Sequence, residues 1–541
     1  MDFNIKNMLQ LRTFVLMLLL GGVFISCESD LDVTPEDDDE LLADGFFENE
    51  GAYKQALAGV YANLSLTSIN DPGGSNIAGL DAGTGQYIRG LFNLQNLSTD
   101  EVIWTYENDP GLRGMQRNTW SSDNPLILGV FARASYEIAL ANEFLRQTTT
   151  EALSGRGESE ELKATIQTYR AEARVLRALA NYHLLDMFGK APSVTENDAV
   201  GFDQVPELVG VDLFNFIESE LLAALPDLIA ARQNEYARVD QGVANMLLAK
   251  LYLNAEVYTG TARYADCITV CETLIGSGYS LTPNYLFNFM ADNNTNGAQN
   301  EIIFPISNDG TNTQNYGGTT IIIQGEVGVP ENNGESLGVN ATGFGGLFRV
   351  RPEFSRLFTS NPLYRNDSRN TLITADRTEE INNVGNTAEG YIITKFSNRT
   401  STGGFGSDRT FTDTDYPLFR YADVLLMYAE ATLRGGGGST AQALGYINEL
   451  RERAFGNTSG NITQSQLTLD FILDERSREL YWESHRRQDL IRFGVYSGSS
   501  YLWSYKGGPQ TGTAIPQFRE LFPIPNQSLS SNANLTQNAG Y

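Results

Sequence analysis

The sequence predicts a mainly α-helical protein with a minor α+β part, in which helical hairpins pack against a loop-rich half. Two patterns predict this fold class: apolar residues recur at three- and four-residue spacing in several long segments, and stretches rich in Gly, Asn, Ser and Thr separate those segments. A third observation is that only Cys27, Cys267 and Cys271 occur in 541 residues. The fold therefore does not depend on disulfides.

The clearest single helix is predicted over residues 161–189, where the apolar positions follow helical spacing. Gly189 closes this helix and Pro192 follows it, which is the usual pattern at a helix C-terminus. A second helix is predicted over residues 212–230, with Asp212 as its N-cap.

Two helical hairpins and one more helix are predicted farther along the chain. The first hairpin joins residues 240–258 to 262–276, and the second joins 421–433 to 440–455 through a run of glycines. A last long helix is predicted over residues 468–490. Paired helices of this size are typical of tetratricopeptide units, but their spacing is irregular, and ordinary helical hairpins are the alternative interpretation.

Three long stretches lie between the helices, at residues 67–125, 291–350 and 360–416. Loops of this length inside a domain are either disordered or functional. These stretches carry tryptophans, tyrosines and phenylalanines, in which disordered linkers are poor. We therefore expect the loops to be ordered and to hold the functional site.

The N-terminus has the pattern of an export signal. Lys6 and Arg12 precede an apolar run, and Ser26-Cys27 follows it, as in a bacterial lipobox whose cysteine is acylated after cleavage. An ordinary secretory signal is the alternative. The sequence predicts a signal peptide over 1–26, an acidic lipid-anchored tether over 27–44 attached through Cys27, and a single domain over 45–541.

Composition excludes some classes of function. A net charge of −28 argues against nucleic acid and against anionic lipid headgroups as partners. The two histidines, His183 and His485, lie in no triad or HExxH pattern, and no GxSxG or P-loop motif occurs. Cys267 and Cys271 lie one helical turn apart without a nearby histidine, so we expect them to be core residues. A glycosidase needs only two carboxylates, which the sequence does not exclude.

Five segments identify a resemblance to a known family. They occur in the family's order and positions, within a similarity that covers essentially the whole mature chain: AEARVLRALANYHLLDMFGKAP (171–192), LLAKLYLNAEVY (247–258), FRYADVLLMYAEATLR (419–434), ILDERSRELYWESHRRQDLIRFG (472–494) and LFPIPNQSLSSNANLTQNAGY (521–541). The chain resembles the SusD/RagB family of Bacteroidetes outer-membrane nutrient-uptake lipoproteins. The resemblance implies four tetratricopeptide-like units, no catalytic activity, and a SusC-like TonB-dependent barrel as partner, over which the protein closes as a lid.

The resemblance also implies a glycan site closest to the starch-binding type. In that type, aromatic rings carry the sugar while an Asp, an Arg and an Asn bond its hydroxyls. The matching positions here are Asp81, Arg89, Trp104, Tyr106, Asn108, Tyr316 and, more weakly, Phe344. The amide position falls at Asn108 or at Asp109, depending on the register. Trp104 and Tyr106 are two residues apart, which in an extended segment places both rings on one face.

A calcium site is also predicted. Asp292 and Asn294 lie in one loop, while Asp413 and Asp415 alternate in another, and oxygen ligands at such spacing suit structural Ca²⁺. The resemblance implies calcium between two such loops in starch-type relatives. Solvated turn residues are the alternative interpretation.

The expected function is capture of starch or maltooligosaccharides at the outer face of the outer membrane and their delivery to the barrel. The acidic run after Cys27 resembles the family's surface-export signal. Three alternatives stay open: a binder of another glycan such as a laminarin-type β-glucan, or of a peptide; a glycoside hydrolase; and a structural lid with a vestigial site.

Overall fold

The structure is a computed structural model that describes residues 43–68, 71–198, 204–329, 331–340 and 344–541. The predicted signal peptide, Cys27 and nearly all of the predicted tether lie outside these residues. Contacts divide the described residues into a unit of residues 43–53 and a unit of residues 54–541. Helix α1 (Ala43–Phe46) belongs to the first unit.

Helices dominate the described residues, which confirms the mainly α fold class. The helices that follow α1 are α2 (Ala52–Ser65), α3 (Tyr87–Gln95), α4 (Leu112–Gln116), α5 (Pro125–Gln147), α6 (Thr150–Gly155), α7 (Glu160–Phe188), α8 (Val211–Ala224), α9 (Gln241–Leu253), α10 (Ala255–Thr259), α11 (Tyr264–Ile275), α12 (Gly318–Gly325), α13 (Gly334–Leu337), α14 (Pro352–Thr359), α15 (Tyr421–Leu433), α16 (Thr440–Phe455), α17 (Leu469–Leu480), α18 (Arg486–Arg492) and α19 (Asn526–Ser531). None of these helices combines the length and apolar character needed to cross a bilayer.

The longest helix, α7, is bounded by two local signals. Its N-cap is Ser159, whose side chain accepts a hydrogen bond from the backbone N–H of Leu162. It ends at Gly189, which adopts a left-handed conformation (φ 69°) that glycine reaches without strain. The predicted stop at Gly189 is therefore confirmed.

The helices pack as antiparallel neighbours around one large apolar core. Helix α7 packs against α5 and α8, α9 against α11, and α15 against both α11 and α16. The two predicted hairpins thus form, and α11 joins them side by side. In α11, Cys267 and Cys271 are buried and free, with sulfurs 3.9 Å apart.

Strands are short in the described residues and pair two by two. The strands are β1 (Val102–Trp104), β2 (Lys190–Pro192), β3 (Glu207–Val209), β4 (Ile302–Ile306), β5 (Phe348–Val350), β6 (Leu372–Ile373), β7 (Ile392–Ile393) and β8 (Tyr416–Arg420). Antiparallel pairs form between β1 and β5, β2 and β3, β4 and β8, and β6 and β7. Pairing of β1 with β5 and of β4 with β8 ties the predicted loop stretches to one another.

The single long helix predicted over 468–490 is wrong. Helix α17 ends at Leu480 and α18 begins at Arg486, and between them Trp482 and Ser484 have φ near 63° and 64°. Non-glycine residues rarely adopt this left-handed conformation without compensation from their surroundings. Here the Trp482 ring packs edge-on against Phe92 in the core. Tertiary contacts therefore override the helical periodicity.

Two more differences concern helix boundaries. The helix predicted over 212–230 starts at Val211 and stops at Ala224, because Pro226 cannot donate the next helical hydrogen bond. Asp212 lies in its first turn and Gly210 is the N-cap. Helix α5, which the sequence analysis did not predict, follows the 67–125 stretch and begins at Pro125 with Asn124 as its N-cap.

Candidate functional site

The start of helix α3 positions the first predicted glycan residues. Gln86 caps the helix, because its side-chain oxygen accepts the backbone N–H of Arg89 at 2.7 Å. The same oxygen accepts the N–H of Gly318 at 2.9 Å, and the amide nitrogen of Gln86 donates to the carbonyls of Leu64 and Ser65. Gln86 thus joins α3 to the loop that carries Tyr316. Sequence reasoning missed it because glutamine is not a typical N-cap residue.

Arg89 occupies the centre of the site. Its guanidinium donates from Nη1 to the backbone carbonyl of Tyr316 at 3.1 Å and lies 5.5 Å from the centre of the Trp104 ring. A Cβ on Gly83 would come within 2.2 Å of Nη1, so a larger residue at this position would force the guanidinium to move. The Nε of Arg89 is buried and has no hydrogen-bond acceptor in the structure.

Charge and burial act on Arg89 in opposite directions. Burial lowers the pKa of its guanidinium, and the carboxylates of Asp81 and Asp109 partly offset that effect. Asp81 is exposed and accepts the backbone N–H of Thr84, which fixes the turn before α3. Asn108 and Asp109 are both exposed, and Asp109 is the one whose charge acts on Arg89.

Trp104 differs from the expectation of an exposed stacking ring. It is the last residue of β1, faces Phe348 of β5 with ring centres 5.1 Å apart, and is only 3% exposed. Gln116 holds its backbone from both sides, accepting its N–H and donating to its carbonyl. The ring is buried because strand pairing places it beside Phe348, yet its Nε1 has no acceptor.

Tyr106 lies on the outside of the same segment. It is 45% exposed, and its hydroxyl donates to the carbonyl of Gly345 at 3.2 Å. The neighbouring Phe344 is half-buried and packs against the core. The Trp104 ring is therefore buried and the Tyr106 ring is exposed, and their roles in glycan binding stay predictions.

Tyr316 completes the group. Its side chain is half-buried and its ring lies 5.1 Å from that of Phe411. Phe411, in the 360–416 stretch, was not predicted as a site residue. The structure thus gathers Arg89, Trp104 and Tyr316 directly, with Asp81 and Asp109 close enough to act by charge.

The predicted calcium ligands do not converge on one point in the structure. Asp292 accepts the N–H and hydroxyl of Ser401, whereas Asp413 accepts from Gly310 and Ser407. Asn294 is exposed. Within the described ranges, no three His, Cys, Asp or Glu side chains are grouped closely enough to hold a metal ion.

The two predicted calcium loops nevertheless meet, through Asn293. Its side chain donates to the carbonyl of Asp415 at 2.9 Å and accepts the N–H of the same residue at 3.3 Å. The Asp415 carboxylate accepts the N–H of Asn308 and the hydroxyl of Tyr236. The Asp415 carboxylate thus accepts hydrogen bonds from the protein itself. Calcium binding stays a prediction.

The two histidines have structural partners. His183 shares a hydrogen bond with the hydroxyl of Tyr87 at 2.8 Å, and burial lowers its pKa to about 4. His485 is buried 3.2 Å from the Nζ of Lys250 and 3.7 Å from the carboxylate of Asp423. Neither lies beside a Ser or Cys nucleophile in these contacts.

Comparison with known proteins gives consistent results. A model of the SusD family matches residues 283–541. The starch-binding protein SusD of Bacteroides thetaiotaomicron is 33% identical to this chain, and the match covers 99% of each. The SusD-like protein P2 of Formosa agariphila is 25% identical, with 98% of this chain and 99% of that protein covered.

Solved structures share the fold. A SusD superfamily protein of Parabacteroides distasonis superposes with a TM-score of 0.69 at 22% identity, covering 93% of this chain and all of that one. The surface glycan-binding protein A of B. thetaiotaomicron, solved in complex with laminarihexaose, gives a TM-score of 0.66 at 19% identity, covering 90% of this chain and 98% of that one. At these identities the likeness is one of fold.

Proposed function

We propose, from the premise that the chain belongs to the SusD family, that it captures an α-glucan of the starch type at the bacterial surface. Members of this family bind carbohydrates and are not catalysts, so the chain is a glycan-binding protein and not an enzyme. The proposal adds the glycan, the residues that hold it, and delivery to a SusC-like TonB-dependent barrel.

The observation that carries the proposal is the convergence on Arg89. Residues 227 positions apart in sequence meet here, because Arg89 donates to the carbonyl of Tyr316 while lying over the Trp104 ring. An aromatic ring offers stacking area to a sugar and polar groups orient its hydroxyls, and Trp104 and Arg89 supply one of each.

Two donors without acceptors also support a ligand at this position. The Nε of Arg89 and the Nε1 of Trp104 are buried N–H groups that find no oxygen in the protein. A buried unsatisfied donor costs about 1–3 kcal/mol. Sugar hydroxyls would accept hydrogen bonds from both groups.

The choice of glycan rests on the named relatives. The relative that is 33% identical over nearly its whole length is called a starch-binding protein. A β-glucan of the laminarin type is the second candidate, because a protein of the same fold was solved with laminarihexaose. Starch is the preferred candidate, because the starch-binding relative is 33% identical to this chain and the laminarihexaose-binding protein is 19% identical.

Anchoring and transport complete the proposal. Acylation of Cys27 after removal of residues 1–26 would tether the protein to the outer membrane, and the acidic run would carry it to the outer face. There it would hold polymer near the barrel and close over the pore. Replacement of Cys27 by serine is expected to release the protein from the membrane fraction, whereas continued membrane retention would contradict a lipid tether.

Affinity electrophoresis of the purified protein tests the glycan. We expect amylopectin and pullulan in the gel to retard it, while laminarin and xylan leave its mobility unchanged. Retardation by laminarin alone would overturn the starch assignment in favour of the second candidate. An assay for new reducing ends in starch is expected to stay at background, which separates a binder from a hydrolase.

A further inference from the structure

A second cavity lies away from the glycan residues, among helices α7, α10 and α18 and the C-terminal segment. Its volume is about 410 Å³, within the usual range of small-ligand pockets. None of the predicted glycan residues lines it. A ligand of this cavity would therefore bind apart from the proposed glycan residues.

The polar end of this cavity is built around Asp186. The side chain is only 6% exposed, and its carboxylate accepts hydrogen bonds from Gln95 at 2.6 Å, Tyr258 at 2.7 Å and Gln488 at 2.8 Å. All three donors are neutral. In the part of the chain that the structure describes, Asp186 makes no ion pair, although buried carboxylates are usually paired with a cation.

The cavity carries no positive charge of its own. Among its described lining residues the charged ones are Asp186 and Glu520, both acidic, and no Lys, Arg or His lines it. The nearby Arg492 forms ion pairs with Glu430 and Asp489. The side chain of Arg487 donates a hydrogen bond to the backbone carbonyl of Glu520. The two lining carboxylates disfavour an anionic ligand and favour a cation, while Arg487, whose charge no carboxylate pairs among the described residues, lies outside the lining.

The rest of the wall is apolar. Val209 and Val257, each nearly half exposed, lie at the cavity surface, and Ile491 and Leu521 also line it. The rings of Tyr258 and Phe518 line it too, and aromatic faces attract ammonium groups. The wall suits an aliphatic stem of a few carbons.

We propose that this cavity binds a primary ammonium group on a short aliphatic stem, with the ammonium against Asp186 and the stem along the apolar wall. A free alkylamine and a lysine side chain share this chemistry. A carboxylate has about four lone-pair sites, and three neutral donors use three of them, so the ammonium can add one charge-assisted hydrogen bond without displacing a donor.

Isothermal titration of the wild-type protein tests charge and stem together. We expect n-butylammonium to bind at least tenfold more tightly than n-butanol, and butyrate not to bind. Equal affinity of the amine and the alcohol, or no binding of the amine, would overturn the proposal. Nα-acetyl-lysine methylamide serves as the second arm: tighter binding than n-butylammonium identifies a lysine side chain as the natural ligand, and weaker binding identifies a free amine.

Variants locate the site. Asp186→Asn is expected to weaken n-butylammonium binding at least tenfold and to leave n-butanol binding unchanged. Asp470→Asn, which removes an exposed carboxylate at the start of α17, is the matched control and should change neither. Unchanged amine affinity in Asp186→Asn would refute the site.

Should that variant fail to fold, the wild-type series with amine, alcohol and acid still decides. Maltoheptaose affinity is measured in parallel, and its persistence in Asp186→Asn separates this cavity from the glycan site.

Discussion

Two regions of this molecule bury arginines in opposite ways. On helix α17, the carboxylate of Glu479 forms ion pairs with Arg369, Arg420 and Arg453, and all four side chains are almost fully buried. At the proposed glycan site, Arg89 donates to one backbone carbonyl, and among the described residues it forms no ion pair. The two regions therefore differ in charge pairing: the first pairs its buried guanidinium groups with carboxylates, whereas Arg89 has no such partner, which fits the role in ligand binding proposed for it.

The largest effect is expected at the α17 cluster, from Glu479→Gln. Removing this charge takes one carboxylate partner from each of three buried guanidinium groups, which keep their pairs with other carboxylates, and breaking a buried ion pair typically costs about 3–5 kcal/mol. Urea denaturation at pH 7 measures the loss. The same substitution at the exposed Glu452 of α16 is the control and should change stability by less than about 0.5 kcal/mol.

The pH profile sharpens that prediction. Burial alone would raise the pKa of Glu479, but Arg453, Arg420 and Arg369 hold it at about 2, below the usual 4.5. A depressed carboxyl pKa contributes stability above pH 4.5, and this contribution is lost as the pH falls towards 2. The difference between wild type and Glu479→Gln should therefore shrink over this window. A difference that stays constant down to pH 2 would contradict the assignment.

At the proposed glycan site the largest expected effect is on binding. Arg89→Ala removes the donor that lies over Trp104 and should weaken starch binding by about 1.5–3 kcal/mol, roughly 10- to 150-fold, with little loss of stability. Titration with maltoheptaose measures it. Arg113→Ala, in the neighbouring helix α4 with a mostly exposed side chain, is the control. Equal affinity of the Arg89 variant and the wild type would remove Arg89 from the site.

An intermediate case is Asp415, a buried carboxyl group held by neutral donors. Its pKa is raised to about 7, mainly by burial; the charges of Asp413 and Asp309 also raise it, while the hydrogen bonds from Asn308 and Tyr236 lower it. A raised carboxyl pKa means that stability is lost as the pH rises from 3.8 to about 7, by up to about 1.4 kcal/mol per pH unit. Asp415→Asn should flatten this part of the profile in urea denaturation between pH 4 and 8. Asp470→Asn should leave it as in the wild type.

Much of the fold could be predicted from the sequence, and the failures have local causes. Periodicity and capping signals located α7, because Ser159 and Gly189 bound it through short-range contacts. The break at Trp482 could not be predicted, because it depends on packing against Phe92, which lies 390 positions earlier in the chain. Sequence patterns indicate local structural preferences, and they do not show contacts between residues far apart in the chain that outweigh those preferences.

The site shows the same limit. Family positions placed Arg89 and Tyr316 in one site, and the structure brings them into contact. Gln86, which holds the two segments together, and the burial of Trp104 beside Phe348 were not predicted. Both depend on the pairing of segments far apart in sequence, of β1 with β5 and of α3 with the loop before α12.

The smallest expected effect is at Tyr106, and it tests whether the outer rim of the site binds by its ring. Tyr106→Ala should weaken maltoheptaose binding by about 0.5–1.5 kcal/mol, because an exposed ring contributes stacking area. Tyr106→Phe should bind nearly as the wild type, since the hydroxyl makes only an exposed 3.2 Å bond to Gly345. Phe405→Ala, at an equally exposed ring outside the predicted site, is the control and should bind as the wild type. If Tyr106→Phe loses as much as Tyr106→Ala, the hydroxyl rather than the ring holds the sugar, and the rim belongs with the hydrogen-bonding groups around Arg89.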